Sequence, residues 1–423
     1  MAQNPERNRN PADSQDLTMQ DEEVLPDVIK IAPVWPVAGP SGVVVTDEGV
    51  VVVDTGIGAG GPDRVRRIRE RTDVPFHTII YTHGHPDHVG GASAFVEDAE
   101  KRGDPRPRII GHELVAKRLD KYRMLAGRRR YIASLQFPGV AQPSRPKKEK
   151  TAGPSFPFIY PDTTFSDYME FKLGGLTFEL YHAPAETDDA IWVWVPERKV
   201  AMIGDLLLRG CPNTGNPLKE QRYTLEWAEA LEKIADKKPD FIIADRGVLR
   251  GGPAREQCLK TAKFLRHIQN EVVRLLNEGY WIEDILEKVK IPAEMANEPF
   301  LAGTYGHPTF VIHDVYRRYT GWYDGNPSEL FPSRSSDIAA EVLRFASPER
   351  LIDRARELQK DGNTQLALHV VDFAVKGTED RDKRQEALRL KADLLDARAR
   401  EVHNFIARNI MRTSAGMLRE EAG

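Results

Sequence analysis

The stretch Thr82-His83-Gly84-His85-Pro86-Asp87-His88-Val89-Gly90-Gly91 decides how the rest of the chain is read. It places three histidines and one carboxylate within six positions, directly after the apolar run Thr78-Ile79-Ile80-Tyr81. A buried strand that ends in a tight loop can aim alternate side chains at one point. His83 and His85 are therefore expected to face one metal ion, and Asp87 and His88 a second. Neutral imidazole and ionised carboxylate are the ligands that zinc and related divalent ions accept. Gly90 and Gly91 are expected to let the backbone pass close to the metals, where a Cβ would crowd the site.

A chain of 423 residues is too long for one compact core and suits two domains. The formal net charge of -4 gives no overall pull toward nucleic acid, and none is expected as a partner. The basic runs Arg128-Arg129-Arg130 and Lys147-Lys148 read as solvated loop faces. Two cysteines, Cys211 and Cys258, exclude a disulfide framework and fit a reducing compartment. The N-terminal MAQNPERNRNPADSQD is too polar for a signal peptide and no window has the apolar length of a membrane span, so a cytoplasmic location is expected. Residues 1–25 have the composition of a disordered tail.

Alternating β-branched residues from Val28 to Thr55 predict a hairpin that turns at Asp47-Glu48-Gly49. Helices are expected over 63–71, 92–101 and 113–123, with strands over 76–81 and 106–110 between them. From Ala126 to Pro161 the chain reads as an irregular, Arg-, Lys-, Pro- and Gly-rich loop, expected to be a lid over the site. Strand patterns resume over 163–173 and 176–181 and again over 200–203 and 241–244. Residues 256–290 carry an apolar stripe at helical spacing that core packing explains. Residues 336–418 read as helical hairpins with breaks at Gly362 and Gly377.

The HxHxDH stretch resembles the signature of the metallo-β-lactamase fold superfamily. That resemblance implies an α/β architecture, an αββα sandwich over residues 26–332, with one or two metal ions at its edge. Asp54, in a DTG that ends the hairpin, then reads as the carboxylate behind the metal loop that fixes the tautomer of a ligating histidine; the bland reading is a turn-initiating acid. In His182-Ala183-Pro184-Ala185-Glu186-Thr187 a glutamate occupies the position where most of the superfamily has a histidine, and Asp205 matches the acid that bridges both metals. A loop acid and a helix N-cap are the structural alternatives for these two.

Glu186, Asp205 and the stretches GYWIEDILEKV, VYRRYTGWYDGNPSELFP and NFIARNIMRTSAG together resemble the alkylsulfatase family. The resemblance implies a metal-dependent hydrolase of alkyl sulfate esters and a tetratricopeptide-like helical dimerisation domain over residues 333–423. It implies a homodimer and a small anionic or amphiphilic substrate. A sterol-carrier-like domain often follows in the family and is not expected after Gly423. The metal ligands by this resemblance are His83, His85 and Glu186 for one ion, Asp87 and His88 for the other, and Asp205 for both. Zinc is the expected metal, with manganese or iron as alternatives for a carboxylate-rich set. Asp87 holds the attacking water or accepts its proton.

Three positions depart from the family. Arg246 stands where the second metal would gain a histidine, and a guanidinium offers no lone pair. Asp245 can turn inward as an oxygen ligand, the second metal can be weak or absent, Arg246 can grip an anionic substrate, or Arg246 can pair with Asp205 or Asp87. The family's sulfate-binding asparagine survives as Asn213, whereas its arginine has no direct counterpart: Arg222 is the replacement, with Arg209 and Lys219 as nearby cations. The proton-donating histidine is displaced, leaving His307 or His313. The function classes open at this point are a sulfatase, a metal hydrolase of a carboxylic ester, lactone, amide or phosphoester, and a non-catalytic metal- or ligand-binding dimer.

Overall fold

The computed structural model describes residues 20–33, 39–138 and 158–423. Short β-branched strands form two sheets, and each strand sends alternate side chains to opposite faces. The first sheet has the order β1 (Glu22–Leu25), β2 (Val28–Ile31), β3 (Ser41–Val45), β4 (Val50–Val53), β5 (Phe76–Ile80), β6 (Arg108–His112) and β7 (Thr163–Phe165). Its first four strands pair antiparallel, and β4 to β7 run parallel. The second sheet has the order β13 (Gly247–Arg250), β12 (Phe241–Ala244), β11 (Val200–Met202), β10 (Ile191–Val195), β9 (Leu176–His182) and β8 (Tyr168–Leu173).

The pleat builds the layers. Val51 and Val53 pack inward against Phe178, Leu180 and Val193 of the facing sheet, while Val50 and Val52 pack outward. Outside the first sheet lie α1 (Gly61–Arg69), α2 (Pro86–Val89), α3 (Ala92–Arg102), α4 (Leu114–Met124) and α5 (Ala126–Gln136). Outside the second lie α6 (Thr224–Asp236) and α7 (Gly251–Asn277), where Trp227 and Phe264 cover Trp192 and Ile242. Both sheets are thus covered on both faces, an αββα sandwich. The short α8 (Ile282–Lys288), α9 (Ala293–Ala296) and α10 (Pro308–Tyr319) join the core of α6 and α7. A separate apolar core unites α12 (Pro348–Lys360), α13 (Thr364–Gly377), α14 (Arg381–Glu401) and α15 (Phe405–Ala422), with α11 (Ser335–Leu343) packed on α13.

Several expectations are corrected here. Residues 1–19 of the expected tail lie outside the described residues, but Glu22–Leu25 is a paired strand held by its register with Val28–Lys30. The expected irregular lid begins as a helix: Ala126–Gln136 is α5, and only 139–157 of that stretch fall outside the described residues. No capping side chain announces α5; its docking against α15 stabilises it, through Asn409 Nδ2 donating to the Gln136 carbonyl at 2.7 Å. The run over 163–181 is divided between sheets, β7 in the first and β8 in the second. The helix expected over 256–290 breaks after Asn277, where Gly279 has φ +88°. The expected breaks are present: Gly362, at φ +80°, separates α12 from α13, and Gly377 ends α13 before α14 begins at Arg381.

Candidate metal centre

Four strand ends and one loop converge on the same edge of the sandwich, and the candidate metal ligands come from them. β4 ends at Asp54, β5 runs into Thr82–His88, β11 into Asp205, β12 into Asp245, and the loop between β9 and β10 carries Glu186. Ile191 N–H donates to the Thr82 carbonyl at 2.7 Å and so joins the two sheets at this edge.

His83, His85, Glu186 and Asp205 each offer one ligand atom, and these atoms all lie within 4.8 Å of one another. His83 Nε2 is 2.7 Å from His85 Nδ1 and 3.9 Å from Asp205 Oδ2, and His85 Nδ1 is 3.8 Å from Glu186 Oε2. Burial, reinforced by neighbouring positive charge, holds both imidazoles well below the usual histidine range, which keeps their lone pairs free. His88 and Asp87 adjoin this group. His88 Nε2 is 3.2 Å from Asp205 Oδ1 and 3.6 Å from Asp87 Oδ2. Among the described residues, buried His88 Nε2 and Asp205 Oδ1 have no hydrogen-bond partner, which is costly unless an ion takes both. The donor set therefore fits a divalent metal.

Asp54 sits behind the histidines. Its Oδ2 accepts from His88 Nδ1 at 2.7 Å and from Thr82 Oγ1 at 2.7 Å, and its Oδ1 accepts from Thr82 N–H at 2.8 Å. This fixes His88 with Nε2 facing the site. Asp54 does so from a left-handed backbone, φ +63°, that aspartate tolerates better than most residues. For His88, burial favours the neutral form, but Asp205, Asp54 and Asp87 together raise its pKa well above the usual range.

Glu186 is held from the other side. Its Oε1 accepts from Arg222 Nη1 and from Asn213 Nδ2 at 3.0 Å, so these two of the residues expected to bind substrate are engaged with a candidate ligand carboxylate. Burial would raise the Glu186 pKa, and Arg222 outweighs it to leave the group lowered. The Glu186 loop is also tied to the histidine loop through Asp189, which accepts from Gly84 N–H at 2.9 Å and from Arg118 Nε at 2.8 Å. Gly90 and Gly91 serve a different contact from the one expected. A Cβ on Gly90 would lie 2.4 Å from the Pro86 carbonyl oxygen and one on Gly91 2.2 Å from that of Thr55, so these glycines let the loop pack on backbone rather than on metals.

Asp245 and Arg246 form the two-residue turn between β12 and β13. Asp245 lines a small cavity with Asp54 and His88, and burial pushes its carboxyl up to about 6 against the pull of Arg209. Arg246 is half-buried beside it. His307 caps α10, its Nδ1 accepting from Thr309 N–H at 3.2 Å, and His313 lies further along the same helix.

Four groups were missed. Burial, and then the charges of Glu186, Asp87 and Asp205, keep the Tyr305 phenol well above its usual pKa, so it stands near the site as a proton-bearing donor. It lies in GTYGHPTF, where the sequence pattern points only to His307. Tyr122 lies parallel to His85, ring centroids 6.4 Å apart. The Arg129 guanidinium lies 3.6 Å from the Tyr122 centroid, which corrects the reading of Arg128-Arg129-Arg130 as a solvated loop. Arg118, buried among Asp188, Asp189 and Glu220, had no motif to reveal it.

Residues 34–245 match the family described as the metallo-beta-lactamase superfamily. The chain belongs to that superfamily. Residues 281–421 match the family described as alkyl sulfatase dimerisation, so the match begins well before residue 333 and takes in α8 to α10, which pack on the sandwich. The linear primary-alkylsulfatase of a Pseudomonas sp. strain is 26% identical over 348 residues, covering 79% of this chain and 66% of the relative. The alkyl/aryl-sulfatase BDS1 of Saccharomyces cerevisiae is 25% identical over 370 residues, covering 83% of this chain and 56% of the relative. The chain thus spans between about half and two thirds of these relatives' lengths. The solved stereoselective inverting sec-alkylsulfatase Pisa1 from Pseudomonas sp. shares the fold, with a TM-score of 0.82 and 22% identity over 95% of this chain and 66% of its own.

Proposed function

We propose that this superfamily member is a metal-dependent hydrolase acting on sulfate esters of small alkyl alcohols. The observation that carries the hydrolase is the convergence of His83, His85, Glu186 and Asp205 beside the buried, unsatisfied His88 Nε2 and Asp205 Oδ1. The similarity to alkylsulfatases supports the choice of bond. His83, His85 and Glu186 would hold one zinc ion, with Asp205 shared toward a weaker second position at Asp87 and His88. A divalent ion bound there supplies Lewis acidity and a lowered pKa for water.

The chain's own residues supply the rest. Asp87 has the most open of the ligand carboxylates, and burial raises its pKa, so it is the acid placed to accept a proton from water. Tyr305 donates a hydrogen bond to the oxygen that departs. His307 has one nitrogen committed to its helix cap and Nε2 left for proton transfer. Arg222 and Asn213 orient Glu186. Their engagement there also favours a second reading, hydrolysis of a carboxylic ester, lactone, amide or phosphoester, because the family's sulfate contacts are diverted. Release of inorganic sulfate from C6 to C12 alkyl sulfates, measured beside a panel of acyl and phosphate esters on zinc-loaded protein, decides between them. Sulfate release is expected; turnover confined to acyl or phosphate esters would move the assignment to the second reading.

The chain is further proposed to be a homodimer. Trp322, Phe331 and Phe345 are 76%, 94% and 89% exposed, and all lie within the region matched by the dimerisation family. Such side chains on one segment mark a surface that a partner covers. The double substitution Phe331→Asp with Phe345→Asp is expected to convert the dimer to monomer in sedimentation velocity; an unchanged sedimentation coefficient would remove this segment from the interface. The two buried free cysteines support a reducing, cytoplasmic setting.

A further inference from the structure

The acids of the site outnumber the cations left to balance an incoming anion. Arg222 is bound to Glu186, and Arg118 is bound to Asp188, Asp189 and Glu220. Two other cations near the site, Arg129 and Lys219, make no ion pair among the described residues. Among the described residues, the Arg129 guanidinium has only the faces of Tyr122 and its neighbours, standing 3.6 Å from that ring's centroid, while Tyr122 in turn lies over His85. Lys219 sits at the end of a tight turn in which its N–H donates to the Asn216 carbonyl at 3.1 Å. That turn is docked on the helix of Arg129, since Gln136 Nε2 donates to Asn216 Oδ1 at 2.7 Å. One rigid unit therefore presents both cations.

The charges of Glu186 and Asp87 reach Lys219, and burial first, then Arg222 and Arg129, lower its pKa to about 8. Burial, with Arg118, sets that of Arg129 below its usual value against the opposing pull of Tyr122 and Asp87. Two half-desolvated like charges that make no direct ion pair among the described residues are unfavourable together, and an anion placed between them relieves both.

We propose that Lys219 and Arg129 form an oxyanion-binding pair beside the metal centre, taking the sulfo group of the substrate in place of Asn213 and Arg222. Arg129 offers a fork of donors to two oxygens, and Lys219 a point charge to the third. This rests on the sulfate-ester reading for the identity of the anion but not for the existence of the pair.

The test is calorimetric titration of inorganic sulfate into the zinc-loaded full-length protein, with acetate as comparison. K219M and R129Q are each expected to weaken sulfate binding by roughly tenfold or more, the loss of one charge-assisted contact. K219R is expected to stay within about threefold of the parent and R129K to fall between the parent and R129Q, since lysine keeps the charge but not the fork, and zinc content is to be equal in all five proteins. Unchanged sulfate affinity in K219M and R129Q, or no sulfate binding by the parent, overturns the pair. Acetate binding as tightly as sulfate overturns the assignment of a tetrahedral anion. Sulfate binding lost in both variants, in a protein that hydrolyses no alkyl sulfate, supports the pair and removes the sulfatase reading instead.

Discussion

Asp205→Ala is expected to abolish tight metal binding and to lower hydrolysis by roughly a thousandfold or more, because its carboxylate reaches toward both His83 and His88. Its Oδ2 is 3.9 Å from His83 Nε2 and its Oδ1 3.2 Å from His88 Nε2. Burial pushes the Asp205 carboxyl well above the usual range; His88 opposes this, and Glu186 and Asp245 add to it. A cluster of buried acids with two lone-pair imidazoles is costly to assemble until a cation joins it. Zinc is therefore expected to raise the melting temperature of the parent protein, a chelator to return it, and neither to act on the variant. Elemental analysis after dialysis and thermal scans with and without zinc measure this. Equal zinc content in parent and variant would falsify the placement of the metal. Arg246→His should act in the opposite direction, moving the zinc content from about one toward two per chain, since it adds a neutral imidazole next to Asp245.

The second large effect is expected at Asn404, far from the metal loop in sequence. Its Oδ1 caps α15 by accepting from Ala407 N–H at 2.9 Å. Its Nδ2 donates toward the carbonyls of Gly303, Tyr305 and Gly306 at 3.0, 2.8 and 3.1 Å. Asn404 is buried, so loss of this amide leaves carbonyls unsatisfied and costs about 2–4 kcal/mol. Asn404→Ala should lower the melting temperature and, by loosening Tyr305, reduce kcat about tenfold or more with zinc content unchanged. Asn404→Asp isolates the donor: it keeps the cap but turns a buried carboxylate toward carbonyl oxygens, and is expected to recover neither the stability nor the kcat. Full kcat in Asn404→Asp would show that the Tyr305 loop needs no such anchor.

What the sequence disclosed, and what it concealed, follow from the range of each interaction. His83, His85, Asp87 and His88 are legible because one strand end delivers them together, and β-branched alternation marks β3 and β4 for the same local reason. Glu186 and Asp205 were reached only by resemblance, since nothing within either segment says that it meets the histidine loop. Asn213 and Arg222 were recognised as polar groups of the site, but their partner lies 27 and 36 residues away, and without that distance they read as substrate contacts. The helix of Arg129 was invisible because it has no cap and its support comes from Asn409, 273 residues away from Gln136. Tyr305 was overlooked because a tyrosine carries no spacing rule; only its neighbours' charges single it out.

The last helix makes the two halves of the chain inseparable as building blocks. Asn404 and Asn409 reach from α15 to the loop of Tyr305 and to the end of α5, so a chimera that borrowed its helical region from a relative would inherit a foreign brace against its own reaction chamber. Transplanting residues 303–306 and the contact at Gln136 along with that region would be the minimum graft, and the seam for any such recombination lies inside the fold rather than at the linker before α11.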